Sequence, residues 1–266
     1  MQLKELRDIQ GEQDARNIAL DKVGVKNVSF PVLVMDKENG TQSTIASVTM
    51  SVYLPHEFRG THMSRFIEIL ESKAHERLSP MMLKDIAKSL CEKLNASRAF
   101  ISFKFKYFIR KAAPVTGIES YISYDACYEA SLDLNLNKFD AVTGIIVPVQ
   151  TLCPCSKEIS DCGAHNQRAL IDLKVRTKGL VWFEELIEMA ESSGSSPLYT
   201  LLKRPDEKFV TEHAYNNPRF VEDTARELAL KLDEDARIIW YKIEVTSCES
   251  IHNHDAFAEI TREKLN

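Results

Sequence analysis

The chain lacks any apolar run approaching the ~20 residues that a membrane-crossing helix requires. Its opening stretch, MQLKELRDIQGEQDAR, contains no apolar signal core, so a cytoplasmic location with no membrane partner is expected. A surplus of positive charge is also missing. The 34 Lys and Arg stand against 39 Asp and Glu, for a formal net charge of −5, which argues against a nucleic-acid footprint spread over the surface and leaves room for a local basic pocket. There is no P-loop motif and no GxGxxG fingerprint, so the common glycine-rich phosphate cradles are not indicated. Nor do the six cysteines spread out as a disulfide framework: Cys153, Cys155 and Cys162 crowd into one short stretch, apart from Cys91, Cys127 and Cys248. In a reducing compartment such crowding suggests metal-binding or catalytic thiols.

What is present is an ordinary globular composition, 44% hydrophobic and 27% charged over 266 residues, enough to bury a sizeable core. SFPVLVMD reads as a strand, and after the turn KENGTQ a second strand alternates Thr44, Ala46, Val48, Met50, Val52 and Leu54 with more polar neighbours. Helical spacing follows at Met63, Phe66, Ile67, Leu70 and Ala74. A second helix opens at Ser79-Pro80 and buries Leu83, Ile86, Ala87, Leu90 and Leu94, the serine serving as N-cap before a proline that needs no amide partner. Two further strands place Ala99 to Ile109 and Ile122 to Leu134 on single faces at period two. The order ββααββ then recurs from about Asp140. Its strands are TGIIVPVQ and ALIDLKVRT, its helices carry Phe183, Leu186, Ile187 and Ala190 and, from Asn217-Pro218, Val221, Ala225, Leu228 and Leu232, and it ends in RIIWYKIEV and AFAEITRE. The expected class is α+β, with two similar units, 1–138 and 139–266, each needing cover for an exposed sheet face.

Polar residue types that do chemistry concentrate in GTHMSRF, CPCSKEISDCGAHNQR, LLKRPDEK, RFVED and ESIHNHDA, mostly at junctions between elements. Cys153, Cys155, Cys162 and His165 could form a structural four-ligand zinc knot. A catalytic ion instead keeps a coordination position open, which favours one cysteine, His165 and a carboxylate from elsewhere, because Cys153 and Cys155 straddle a proline in what reads as an extended stretch. Glu207 is one candidate carboxylate, although an Asp-Glu pair after a proline commonly forms a solvated, capping turn. Glu222 falls on a first helical turn, where the helix dipole alone would favour it. His252 and His254 could point the same way if the backbone there is extended, with Glu249 close by, as an acid/base or ligand cluster. Arg65, Lys157, Arg168, Lys203 and Arg204 accompany these segments and could hold a polyphosphate.

Taken in order, the five segments, together with QGEQDARNIALDKVGV near the N-terminus, resemble the prokaryotic type IB GTP cyclohydrolase I family over nearly the whole chain. The resemblance implies a tunnelling fold of tandem ββααββ units with antiparallel sheets and helix pairs. It also implies assembly into a toroidal homo-oligomer, a homotetramer, with active sites at subunit interfaces. One divalent ion per site, manganese, iron or zinc, would be held by Cys153, His165 and Glu207. Cys162 departs from the family motif and, being near His165, could compete for the ion or form a disulfide with Cys155. Glu222 would be the acid/base beside the ion, Glu249 the anchor of the guanine base, and His252 and His254 would touch substrate or move protons. Lys203, Arg204, Arg65 and Arg168 would bind substrate.

The implied reaction is hydrolysis of GTP to 7,8-dihydroneopterin triphosphate and formate, the start of tetrahydrofolate and pterin synthesis. Two other expectations compete with it: a nitrile-reductase-like tunnelling enzyme using Cys153 as covalent nucleophile, and a non-catalytic oligomer that binds purines or pterins.

Overall fold

The computed structural model describes residue 10 and residues 12–264. The first nine residues and Gly11, part of the N-terminal extension assigned to the 1–138 unit, and residues 265–266 lie outside the described residues. In chain order the elements are β1 (Leu20–Asp36), β2 (Gly40–Leu54), α1 (Met63–Glu71), β3 (Arg77–Leu78), α2 (Pro80–Lys93), β4 (Arg98–Ala112), β5 (Glu119–Asp133) and β6 (Lys138–Leu152). There follow α3 (Pro154–Ile159), β7 (Asn166–Thr177), α4 (Phe183–Glu191), β8 (Ser196–Pro197), α5 (Arg204–Asn216), α6 (Val221–Glu234), β9 (Ile238–Ser247) and β10 (Ala256–Glu263). The chain divides into two compact units that are not contiguous in sequence. Of the described residues, one holds those up to Met35, Asn39–Phe105 and Tyr128–Ala141; the other holds Asp36–Glu38, Lys106–Cys127 and those from Val142 onward.

In the first unit the strand order is β5-β4-β2-β1-β3. β2 and β4 run antiparallel with Val48 opposite Phe103 and Met50 opposite Ile101. Because successive side chains alternate across a sheet, Ala46, Val48, Met50 and Val52 share a face and are buried, as are Ala99, Ile101, Phe103 and Phe105. α1 and α2 pack on each other and bury Phe66, Ile69 and Leu70 from the one, and Leu83, Ile86, Ala87 and Leu90 from the other. The expected N-cap is present, with Ser79 accepting from the Met82 amide at 3.3 Å. Two expectations move. The helix reaching to Ala74 stops at Glu71. Leu134 leaves the strand for an exposed turn, in which Asp133 accepts from the Leu136 amide and Asn137 adopts a positive φ.

The second unit has the order β10-β9-β7-β6-β5-β4, with β8 added beside β6. The pairs β6/β7, β7/β9 and β9/β10 are all antiparallel. Ile145, Val147 and Val149, then Ala169, Ile171, Leu173 and Val175, then Tyr241, Ile243 and Val245 make one buried face. α6 packs on β9 and β10, and α4 on β7 and α6. They contribute Phe183, Leu186, Ile187 and Ala190, and Val221, Ala225, Leu228 and Leu232. At ~25 cal/mol per Å² of apolar surface removed from water, faces of this kind supply most of the drive to fold.

Three features of this half differ from the expectation. α5 forms where a solvated turn was read, because Asp206 caps it: its carboxylate accepts from the Lys203 amide at 2.9 Å while also holding Val115 and Thr116. α3 begins at Pro154, so the CPC stretch is a helix start rather than an extended segment. Asn217 is the C-cap of α5 and not the opening of the next helix. Its side-chain amide donates to the carbonyls of Gly194 and Ser195, and α6 starts at Val221, where Asp223 accepts from the Phe220 amide.

Deep in this unit Glu191 accepts both bonds of the Lys111 ammonium, each at 2.6 Å, and the Tyr124 hydroxyl at 2.8 Å. Lys111 also donates to the Leu198 carbonyl. Burial pushes the lysine's pKa down, and the Glu191 carboxylate opposes that shift. Removing one partner of such a pair leaves a buried charge alone. Lys111→Met should therefore lose about 3 kcal/mol in urea unfolding, and adding Glu191→Leu should recover part of it.

Candidate active site at the end of the second unit's sheet

β6 and β9 end, and β7 and β10 begin, at the same end of the sheet, as the antiparallel register requires: Leu152 faces Asn166, and Ser247 faces both Ala169 and Ala256. The buried face of β6 carries Val147, Val149 and Thr151, and two residues on stands Cys153. On β7 the same face carries Ile171 and Ala169, preceded by Gln167 and His165. On β9 it carries Ile243, Val245 and Ser247, followed by Glu249. The period of two thus continues the apolar inner face past the strand ends as a set of polar side chains. All six of Thr151, Cys153, His165, Gln167, Ser247 and Glu249 line one cavity of about 330 Å³. Arg168 belongs to the opposite face of β7 and is exposed, away from this lining.

Hydrogen bonds fix the two sulfur- and nitrogen-bearing groups. Cys153 is the N-cap of α3, and its Sγ accepts from the Ser156 amide at 3.4 Å. The Ser156 hydroxyl donates to the Cys153 carbonyl at 3.1 Å and accepts from the His165 amide at 3.2 Å. The Cys153 amide in turn donates to the His165 carbonyl at 3.1 Å. Gly163, with φ +74° and open space around its α-carbon, makes the left-handed turn that returns the chain to His165. His165 Nδ1 lies 2.9 Å from Gln167 Oε1, an arrangement in which Nδ1 donates and Nε2 keeps its lone pair for a ligand.

The lead-in to α6 brings the acid. The Arg219 amide donates to the Leu152 carbonyl at 3.0 Å, tying the lead-in to the end of β6. Asp223 performs the capping, so Glu222 is released from that duty and lines the cavity. The Arg219 guanidinium lies 3.2 Å from Glu227 and also donates to Asn217 Oδ1. Across the cavity, His252 and His254 meet as stacked rings with centroids 5.1 Å apart, held by a bent segment rather than the extended one anticipated.

The structure therefore gathers Cys153, His165, Glu222, Glu249, His252 and His254 around one cavity. The other expected residues stand elsewhere. Lys203, Arg204 and Glu207 are exposed at the start of α5, outside this lining. Arg65 belongs to the first unit, where it donates to the Lys93 carbonyl and lines a separate cavity of about 200 Å³ with Thr61 and His62. Cys155 and Cys162 are exposed, free of disulfides and outside this lining. Among the described residues, no group of three or more His, Cys, Asp or Glu side chains is arranged to hold a metal ion. A thiol and an imidazole with a free Nε2 share the cavity, however, and that donor pair suits a borderline divalent ion awaiting a further ligand.

Thr151, Gln167, Arg219 and Ser247 were not singled out from the sequence as site residues. Extending the strands read from the sequence, TGIIVPVQ, ALIDLKVRT and RIIWYKIEV, by up to two residues reaches Thr151, Gln167 and Ser247.

Sheet order, helix placement and this cavity define an α+β protein of the tunnelling fold. Solved structures agree at the level of fold. A urate oxidase from Bacillus sp. TB-90 matches with a TM-score of 0.56 at 10% identity, covering 92% of this chain and 100% of that one. A uricase from Arthrobacter globiformis matches with a TM-score of 0.54 at 8% identity, covering 91% and 93%. The family model for type I GTP cyclohydrolase FolE2 matches residues 6–258. A GTP cyclohydrolase FolE2 of Thermosipho africanus is 54% identical over 260 residues, covering 98% of this chain and 99% of the relative. One of Fervidobacterium nodosum is 51% identical over 260 residues, covering 98% of each. The chain belongs to the type I GTP cyclohydrolase FolE2 family.

Asp206 also tests how α5 and its Glu207 are positioned. Burial pushes its carboxyl up, but the amides of Thr116, Lys203 and Val115 and the Thr116 hydroxyl outweigh burial and hold it well below the usual carboxylate range. A depressed native pKa contributes stability above the ordinary value of 3.8 and loses it as pH falls through the native value. Unfolding midpoints of wild type should drop on acidification below that ordinary value. Asp206→Asn should be less stable near neutrality and show a flatter acid limb.

Proposed function

We propose that this protein is a metal-dependent GTP cyclohydrolase I that converts GTP to 7,8-dihydroneopterin triphosphate and formate, the first step towards tetrahydrofolate and other pterins. The observation that carries the reading is the joining of Cys153, His165, two carboxylates and a histidine pair in one cavity, in a chain that shares about half its residues with proteins named GTP cyclohydrolase FolE2. The type IB subclass belongs to this proposal, supported by the mixed sulfur, nitrogen and carboxylate donors.

Glu249, half-buried on the continuation of β9, accepts hydrogen bonds from the ring and exocyclic nitrogens of guanine and fixes the base. Cys153 and His165 would hold one divalent ion, manganese, iron or zinc; Glu207, which stands outside this cavity, is assigned as the third ligand on the family resemblance. When bound, such an ion supplies Lewis acidity that activates water near neutral pH. Glu222, free of capping, takes and returns the proton exchanged with the imidazole ring nitrogen as aromaticity is broken, and His252 relays protons beside it. His254, stacked on His252, holds that ring in place and contacts substrate. Lys203, Arg204, Arg65 and Arg168 are exposed or stand outside the cavity. In this reading they meet the triphosphate when copies of the chain assemble into a homotetramer with sites at its interfaces. The division into tandem units at 138/139 belongs to the same reading, as does a cytoplasmic location; no helix among the described residues is long and apolar enough to cross a membrane.

Anaerobic incubation of the metal-reconstituted chain with GTP should release formate and develop the ultraviolet spectrum of a reduced pterin without consuming NADPH. Binding without product would favour a purine-binding oligomer, and NADPH consumption a reductase using Cys153. Glu222→Gln should keep fold and metal content while formate release falls by at least ~100-fold, the scale of a lost general acid/base. Cys153→Ala should lose metal stoichiometry as well as turnover; full occupancy in that variant would remove Cys153 as a ligand.

A further inference from the structure

Ser247 is the last residue of β9 and is 1% exposed, yet its hydroxyl has no hydrogen-bond partner among the described residues. A hydroxyl left unpaired in the interior costs free energy, and native proteins rarely keep one without a use. The two strands flanking β9 offer it only alanines, Ala169 and Ala256, at the paired positions. Methyl groups on both sides give its hydroxyl nothing to bond. Ser247 also forms part of the cavity wall, together with Thr151 and two residues before Glu249.

The chemistry of this part of the wall indicates what the hydroxyl meets. Arg219 is the one Lys or Arg among the cavity's lining residues, and it is paired with Glu227. A polyphosphate, which needs unpaired cationic partners, is therefore poorly matched to the Ser247 end of the cavity. A neutral hydroxyl beside a carboxylate suits the edge of a heterocyclic base, where donors and acceptors alternate. We infer that Ser247 is a substrate-contacting residue whose Oγ hydrogen-bonds a heteroatom of the bound purine ring beside Glu249, so that base recognition is shared between a carboxylate and a buried hydroxyl. This rests on the functional reading above and adds to it a residue that sets specificity.

The Ser247 hydroxyl has no protein partner among the described residues, so Ser247→Ala breaks no internal hydrogen bond in the unliganded state and removes a contact in the liganded one. The test titrates the full chain, wild type and Ser247→Ala, with GTP, guanosine and tripolyphosphate by calorimetry, and records thermal midpoints without ligand. The inference expects GTP and guanosine to bind about five- to tenfold more weakly in the variant, tripolyphosphate to be unaffected, and the midpoint to stay equal or rise. Equal guanosine affinity in the two proteins would overturn it while leaving the cyclohydrolase reading intact. Weaker binding accompanied by a lowered midpoint would assign Ser247 a structural role and overturn it too, as would a loss confined to tripolyphosphate. Wild-type chain that binds neither GTP nor guanosine would overturn the functional reading and this inference together.

Discussion

Everything at the candidate site depends on the two-residue alternation of the second unit's sheet. β6, β7 and β9 each carry a buried apolar face, with α4 packed on β7 and α6 on β9, and the antiparallel register brings the relevant ends of all three to one edge. Apolar side chains continue to that edge, and there Thr151, Cys153, His165, Gln167, Ser247 and Glu249 take over on the same side. Their inward direction is set by the burial of Val149, Ala169 and Val245 behind them. A one-residue slip in any of these strands would turn its reactive group to the opposite face while also exposing core residues to water. Hydrophobic burial and site geometry are therefore enforced by the same register.

A second constraint is the division of labour between adjacent acids. Asp223 and Asp206 each accept the amide at the helix N-cap, the ordinary use of an acid on a first turn. Their neighbours Glu222 and Glu207 are left without that structural bond. Near a helix start, position within the turn decides which acid is scaffold and which is available for chemistry. Ser156 plays a comparable part for the sulfur and imidazole, linking the backbones of Cys153 and His165 through one hydroxyl. A thiol and an imidazole twelve residues apart in sequence are thereby held as neighbours by bonds that involve neither reactive atom.

The ββααββ order was legible because strand and helix periodicities differ so plainly in segments such as Val48 to Leu54 and Leu83 to Leu90. The N-cap at Ser79 was legible because capping is local. α5 was not: Arg204–Asn216 has no continuous apolar stripe and buries little beyond Asp206 and Ala214, so its helical state rests on a carboxylate reaching Val115 and Thr116 some ninety residues back in the chain. The opening of α6 was misplaced for a related reason, since Asn217-Pro218 has the local form of a helix start but Asn217 is committed to the carbonyls of Gly194 and Ser195.

The sequence by itself determined the α+β class, the ββααββ order of the first half, the resemblance to GTP cyclohydrolases, and the reactive residue types in five short segments, because propensity, periodicity and motif are properties of neighbouring residues. Only the tertiary structure decided which of those segments share a cavity. It joined Cys153 and His165 to Glu222, Glu249, His252 and His254, and left Glu207, Lys203, Arg204, Arg65 and Arg168 outside that wall. It also showed the Ser247 hydroxyl to be buried without a hydrogen-bond partner among the described residues. The physical reason is that strand register and helix packing bring together residues separated by up to a hundred positions, and whether a side chain is solvated, paired or left unsatisfied is settled by what arrives beside it.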